Sequence, residues 1–135
     1  MPTPEAVIIV LREWQVKAEN DLTTAAHTLT LGDDGPTDTV CFHAQQCVEK
    51  YLKALLVYRA TPFPKTHDLG KLVALLPPDP FWVAIQAKLR KLSAFAVETR
   101  YPGEFATRSL AQESMRTCRE VRDRCRHLLK LPAMK

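Results

Sequence analysis

No stretch of this chain alternates apolar and polar residues over the length that a half-buried strand needs, which removes sheet folds from consideration. No apolar run approaches the roughly 20 residues required to cross a bilayer, so no membrane association is expected. The opening MPTPEAVIIVLREW carries an apolar patch, but it lacks a basic n-region and a small-residue cleavage site. It does not read as a signal peptide, and the expected location is cytoplasmic. The four cysteines, Cys41, Cys47, Cys118 and Cys125, form no C-x-x-C pair and no zinc-like spacing. They read as small buried apolar residues in a reducing compartment, and neither a metal nor a cofactor is expected. Internal repeats, low-complexity tracts and long linkers are also missing. Residues 1–135 therefore read as one domain.

What remains is a set of helices cut apart by proline and glycine. Thr3 and Pro4 resemble an N-cap followed by proline at the first helical position. Val7, Leu11, Trp14, Ala18, Leu22, Ala25 and Leu29 then recur at steps of three and four, one face of a helix that Gly32-Asp33-Asp34-Gly35-Pro36 stops. A second helix carries Val40, Ala44, Cys47, Val48, Tyr51, Leu52 and Leu55 inward. Gln46, Lys50 and Lys53 share another of its sides, with Glu49 and Lys53 as an exposed pair four residues apart. Thr61-Pro62-Phe63-Pro64 breaks that helix, and Thr66 is placed to cap a short one through Leu76. After Pro77-Pro78-Asp79-Pro80 a fourth helix takes Trp82, Ile85, Leu89, Leu92 and Ala96 inward. The last runs from about Ser109 to Leu131 on a seam of Ala111, Ser114, Cys118, Val121, Cys125 and Leu128. The expectation is an all-α, up-and-down four-helix bundle with one additional short helix.

The net charge of +4 permits contact with nucleotide, RNA or an acidic partner without demanding any of them. Its distribution is more informative. Arg59 leaves the second helix, and Lys65, Thr66 and His67 open the third. Cationic and imidazole groups at a helix start form a ready phosphate site. Metal-free RNA cleavage needs a base, an acid and a cation for the phosphorane, roles that His67 and Arg59 could fill. The plainer account has His67 helping to cap a helix while Arg59 closes another. Arg100 and Tyr101 suit nucleotide recognition by charge and stacking, or else the ring packs under its loop while Arg100 pairs with Glu104. Arg108, Arg119, Arg122, Arg126 and Lys130 form a basic stripe on the last helix. Such a stripe attracts RNA or an acidic partner, or simply meets water.

The run Phe42-His43-Ala44-Gln45-Gln46-Cys47-Val48-Glu49-Lys50-Tyr51-Leu52-Lys53, with Lys65-Thr66-His67-Asp68-Leu69 and Arg100-Tyr101-Pro102 following in order, resembles HEPN domains from Trp14 to the last helix. That resemblance implies a helical bundle that commonly forms a homodimer. It also implies a frequent pairing with a minimal nucleotidyltransferase as a toxin–antitoxin system. Many HEPN proteins are metal-independent ribonucleases whose Arg and His form a composite site across the dimer, and others bind nucleotide or serve as accessory domains. Here seven residues, Ala60 through Thr66, separate Arg59 from His67. This is a longer spacing than the ribonuclease signature, and Ala60 stands where nucleolytic members usually carry a polar residue. The expectation is therefore a protein that binds nucleotide or RNA, with Lys65, Thr66, His67, Arg100 and Tyr101 as contacts, or one that partners a nucleotidyltransferase. Two alternatives stay open: a ribonuclease toxin using Arg59 and His67, and a structural interaction module.

Overall fold

The computed structural model describes residues 4–96 and 103–130, and all its regular structure is helical. Helix α1 (Pro4–Thr30) starts with proline at its first position and buries Leu11, Ala18, Leu22 and Ala25 on one side. It ends where Gly32 takes φ +63° and a single 3-10 turn, Gly32–Asp34, leads into the next element. Gly35 is required there by proximity, because a Cβ at that position would stand 2.4 Å from the Thr28 carbonyl oxygen.

Helix α2 (Thr37–Tyr58) runs through the middle of the fold, packed between α1 and the last helix. Every residue of its expected apolar stripe is buried, with Cys41, Ala54 and Leu56 in or beside it, and so are Gln45, Glu49 and Lys53 on another side. A helix enclosed on most of its circumference has almost no solvent face. Its C-terminus closes with Ala60 at φ +53°, while the Thr61 amide donates to Leu56 O at 2.9 Å and the Ala60 amide to Val57 O. This left-handed cap is one that glycine usually supplies.

Three short helices follow: α3 (Leu69–Val73), α4 (Pro80–Ala84) and α5 (Gln86–Ser93). The expected third helix stops at Val73 rather than Leu76. Its cap is Asp68, whose Oδ1 accepts from the Lys71 amide at 3.2 Å. Thr66 acts one step earlier, its hydroxyl oxygen accepting from the Asp68 amide at 3.1 Å. The carboxylate takes the cap because it is the better acceptor beside unpaired amides. The expected fourth helix breaks at Ile85 (φ −103°, ψ 9°), so that position in the bundle is filled by α4 and α5 in series. Asp79 caps α4 by accepting from the Phe81 amide at 2.9 Å.

Helix α6 (Arg108–Leu128) is capped by Thr107 and lays Ala111, Cys118, Val121 and Cys125 against α2. All four cysteines are buried and unbridged. The all-α bundle expected from the sequence is present, with three long helices (α1, α2 and α6) and a segmented fourth arm. No described helix is long and apolar enough to cross a membrane.

Candidate functional site

Because α2 is enclosed, its polar residues must find partners inside the protein, and they do so along one side. Glu49 is buried and sits at the centre. Lys53 Nζ lies 3.0 Å from Glu49 Oε2, and His67 Nδ1 lies 2.8 Å from Oε1. Gln45, with no exposed surface, donates through Nε2 to Glu49 Oε1 at 3.3 Å and to the His67 carbonyl at 3.1 Å. Gln46 donates in turn to Gln45 Oε1 at 2.7 Å. The Glu49–Lys53 pair expected on an exposed face is real but buried, and it anchors the loop that follows α2.

This arrangement defines the chemistry of His67. A carboxylate offers acceptors only, so Nδ1 carries the hydrogen that it shares with Glu49, and in the neutral ring Nε2 keeps its lone pair. The imidazole side chain is 64% exposed while the Glu49 side chain beneath it is 4% exposed. A fixed ring with its distal nitrogen facing solvent can accept a proton, donate one once charged, or hydrogen-bond a phosphate oxygen. Lys53 is held between Glu49 and two aromatic rings, 5.5 Å from the Trp14 centroid and 6.0 Å from that of Phe63. Those rings meet edge to face at 6.5 Å.

The other described residues among the expected contacts do not join this network. Lys65 is exposed and forms no ion pair among the described residues, and Thr66 is occupied in its turn. At the start of α3 the Lys71 amide donates to Asp68 Oδ1, and the Leu69 amide donates to Ser93 Oγ at 3.0 Å. Arg59 caps α2 ten residues beyond Glu49, about 15 Å along the helix axis. Its side chain lines a different depression, with Pro77, Pro78, Asp79, Trp82 and Leu128. Within one chain no described contact joins Arg59 to His67. Arg100 and Tyr101 lie outside the described residues.

A second buried carboxylate faces α2 from α1. Asp21 of α1 receives His43 Nδ1 at 2.7 Å and also the Lys50 ammonium. Lys50 is thus half-buried and spent on an ion pair, as Lys53 is, rather than solvated. The basic stripe of α6 is likewise divided. Arg119 is exposed, whereas Arg122 and Arg126 turn inward. Arg122 Nε lies 2.8 Å from Glu19 Oε2, and Arg126 Nη1 lies 3.3 Å from the Tyr51 hydroxyl, which also reaches Glu19. Burial alone would raise the Glu19 carboxyl, but the Arg122 hydrogen bond and charge outweigh it and hold it below the ordinary 4.5. Burial raises the Tyr51 phenol above its ordinary value of 10, with Glu19 adding to the rise and Arg126 opposing it.

Sequence reasoning missed Glu49 and Gln45 as site residues, and it favoured a solvated helix face for Lys53 over a part in an anion site. The spacing gave no signal of the site: Gln45, Gln46, Glu49, Lys50 and Lys53 fall together on the one arc of the helix that the apolar residues largely leave free, as a water-facing side would.

A helical bundle that holds an exposed imidazole on a buried carboxylate from the middle of its central helix is the class that fold and site define. The HEPN domain profile matches residues 11–128, and the chain belongs to the HEPN family. Two solved structures are similar to it. TT1696 from Thermus thermophilus is 26% identical with a TM-score of 0.70, covering 87% of this chain and 97% of its own. ST0689, an archaeal HEPN homologue, is 23% identical with a TM-score of 0.69, covering 87% and 95%. No curated protein shows significant similarity to the chain.

Proposed function

We propose that this HEPN protein binds an RNA or nucleotide phosphate at the shoulder where the Glu49–His67 pair meets solvent. In this reading it acts as a homodimer and as the partner of a minimal nucleotidyltransferase in a toxin–antitoxin-like pair. The observation that carries the binding reading is the His67 ring, oriented by a buried carboxylate 2.8 Å away and open to solvent on its other side. Evolution has little to gain in stability from such an arrangement. A buried ion pair is about as stable as an apolar replacement of equal volume, so a fixed, exposed imidazole is its distinctive product. Family membership supports a nucleotide or RNA ligand, and the exposed Lys65, two residues before His67 in the chain, adds attraction for phosphate.

A second reading, metal-independent ribonuclease, draws on the same geometry. A carboxylate-oriented imidazole is what a general base for a 2'-hydroxyl requires. The cation for the phosphorane is the weak link, since Arg59 caps the helix about 15 Å away along its axis. Cleavage would need that guanidinium to come from the second protomer. Binding makes no such demand and is the better supported.

The test separates the two. Thermal unfolding is followed with ATP, GTP and short RNA, for the native chain and for His67→Ala. A ligand at a hundred times its dissociation constant should add about 2.7 kcal/mol, and the gain should vanish in the variant. No shift with any of the three ligands would rule out the binding reading. RNA incubated with the protein in chelator should stay intact, and cleavage lost in His67→Ala would favour the ribonuclease instead. Co-expression with a neighbouring nucleotidyltransferase should yield a stable complex, and failure to co-purify would count against that partnership.

A further inference from the structure

We infer that the His67 site takes a base as well as a phosphate: its target is a single-stranded RNA or nucleotide whose base stacks on Phe63 while its phosphate meets His67 and Lys65. This rests on the phosphate reading above and adds to it the part of the ligand that supplies most of the affinity.

The first support is charge. Lys53 and Lys50 look in the sequence like a cationic side of α2, yet Glu49 neutralises one and Asp21 the other. Those four side chains sum to zero, which leaves the exposed Lys65 and the imidazole to face a bare anion here. Two exposed groups in high dielectric attract a phosphate weakly. A site with so little net charge needs another source of binding energy.

The aromatic pair supplies it. Trp14 and Phe63 are both partly exposed, and they join the site through an unbroken series of contacts: ring to Lys53, Lys53 to Glu49, Glu49 to His67. Phe63 stands between Pro62 and Pro64, which restrict the backbone on either side. Its ring is braced at 6.5 Å by Trp14 and accompanied by the Lys53 ammonium. A ring held this way loses little entropy when a base settles on it. An aromatic ring with a cation over it, joined through that cation and a carboxylate to a hydrogen-bonding imidazole, has the parts of a platform for an unstacked base. Duplex RNA buries its base faces and does not fit.

The probe is fluorescein-labelled hexaadenylate, followed by anisotropy, with inorganic tripolyphosphate as competitor. The native protein should bind the oligonucleotide, and tripolyphosphate should compete poorly. Phe63→Leu, which keeps apolar bulk but removes the π face, should weaken binding by about five- to 150-fold. Phe63→Tyr should restore it. Raising salt from about 50 to 200 mM should cost only about three- to sevenfold, the slope for one or two phosphate contacts on a single strand. Circular dichroism checks that each variant is folded. Should Phe63→Leu fail to fold, Phe63→Tyr and the salt slope decide. Tight binding to tripolyphosphate, or a slope of four or more contacts, overturns the inference. Hexaadenylate that binds equally well to Phe63→Leu, but not to His67→Ala, overturns the stacking and leaves the phosphate reading intact. No binding of hexaadenylate or tripolyphosphate overturns both.

Discussion

Two clusters of buried charge flank the central helix, and they are built differently. Toward α6, Glu19, Tyr51, Arg122 and Arg126 form a closed set in which three helices meet and each member faces another. Toward the loop after α2, Glu49, Lys53 and Gln45 converge on one residue, His67, whose ring then faces out. The closed set has no group left for a ligand and serves as a tie between helices. The open set spends comparable burial on holding one exposed imidazole. The difference teaches where to look for function in a bundle: at the buried charge whose network ends at the surface.

Breaking the closed set should have the largest effect on stability. Arg122→Ala leaves Glu19 without its guanidinium and should cost about 3 kcal/mol in urea unfolding, with RNA binding by folded protein unchanged. The acid limb should change with it. Glu19 is held below its ordinary 4.5, so the unfolded chain takes up its proton first. Its contribution is present above that pH and is lost as pH falls through the depressed folded value. In Arg122→Ala the acid loss of stability should flatten, and an unchanged profile would disprove the assignment.

Tyr51→Phe sharpens the comparison at the opposite end of the pH scale. Deleting the hydroxyl that joins Glu19 and Arg126 should cost about 1–2 kcal/mol near neutrality. Tyr51 is raised in the fold, so its contribution is complete below pH 10 and is lost as pH rises through the higher folded value. The variant should show a weaker alkaline decline.

In the open set the effects reverse. His67→Ala removes a largely exposed ring and should shift stability by no more than about 0.5 kcal/mol, while abolishing the ligand-induced stabilisation. A loss of several kcal/mol would mean that His67 is a structural tie like Arg122. Least of all should follow from Lys88→Ala, whose 3.5 Å pair with Glu120 is half exposed on both sides. Calorimetry should detect about 0.5 kcal/mol or less. That result sets the scale of a surface ion pair against the buried ones.

Much of this was legible in the sequence. The apolar stripe of α2 from Val40 to Leu55 is buried as the three- and four-residue spacing predicts, and the breaks at Gly32–Pro36 and Thr61–Pro64 fall where proline and glycine place them. The failures were local competitions. Asp68 displaced Thr66 as a cap because a carboxylate is the stronger acceptor for an unpaired amide. The break at Ile85 has no proline or glycine to announce it.

The sequence by itself determined the helical class, the family resemblance and the inward face of each long helix, because those follow from periodicity and local backbone chemistry. Only the tertiary structure decided what the charges do. Glu49 and Lys53 have the same spacing whether their helix faces water or is enclosed, and spacing along one helix says nothing of what packs against it. Enclosure by α1, α6 and the loop turned an ordinary surface pair into the support of His67. It also drew Arg122 and Arg126 out of a basic stripe and into the interior, where burying a charge requires a partner.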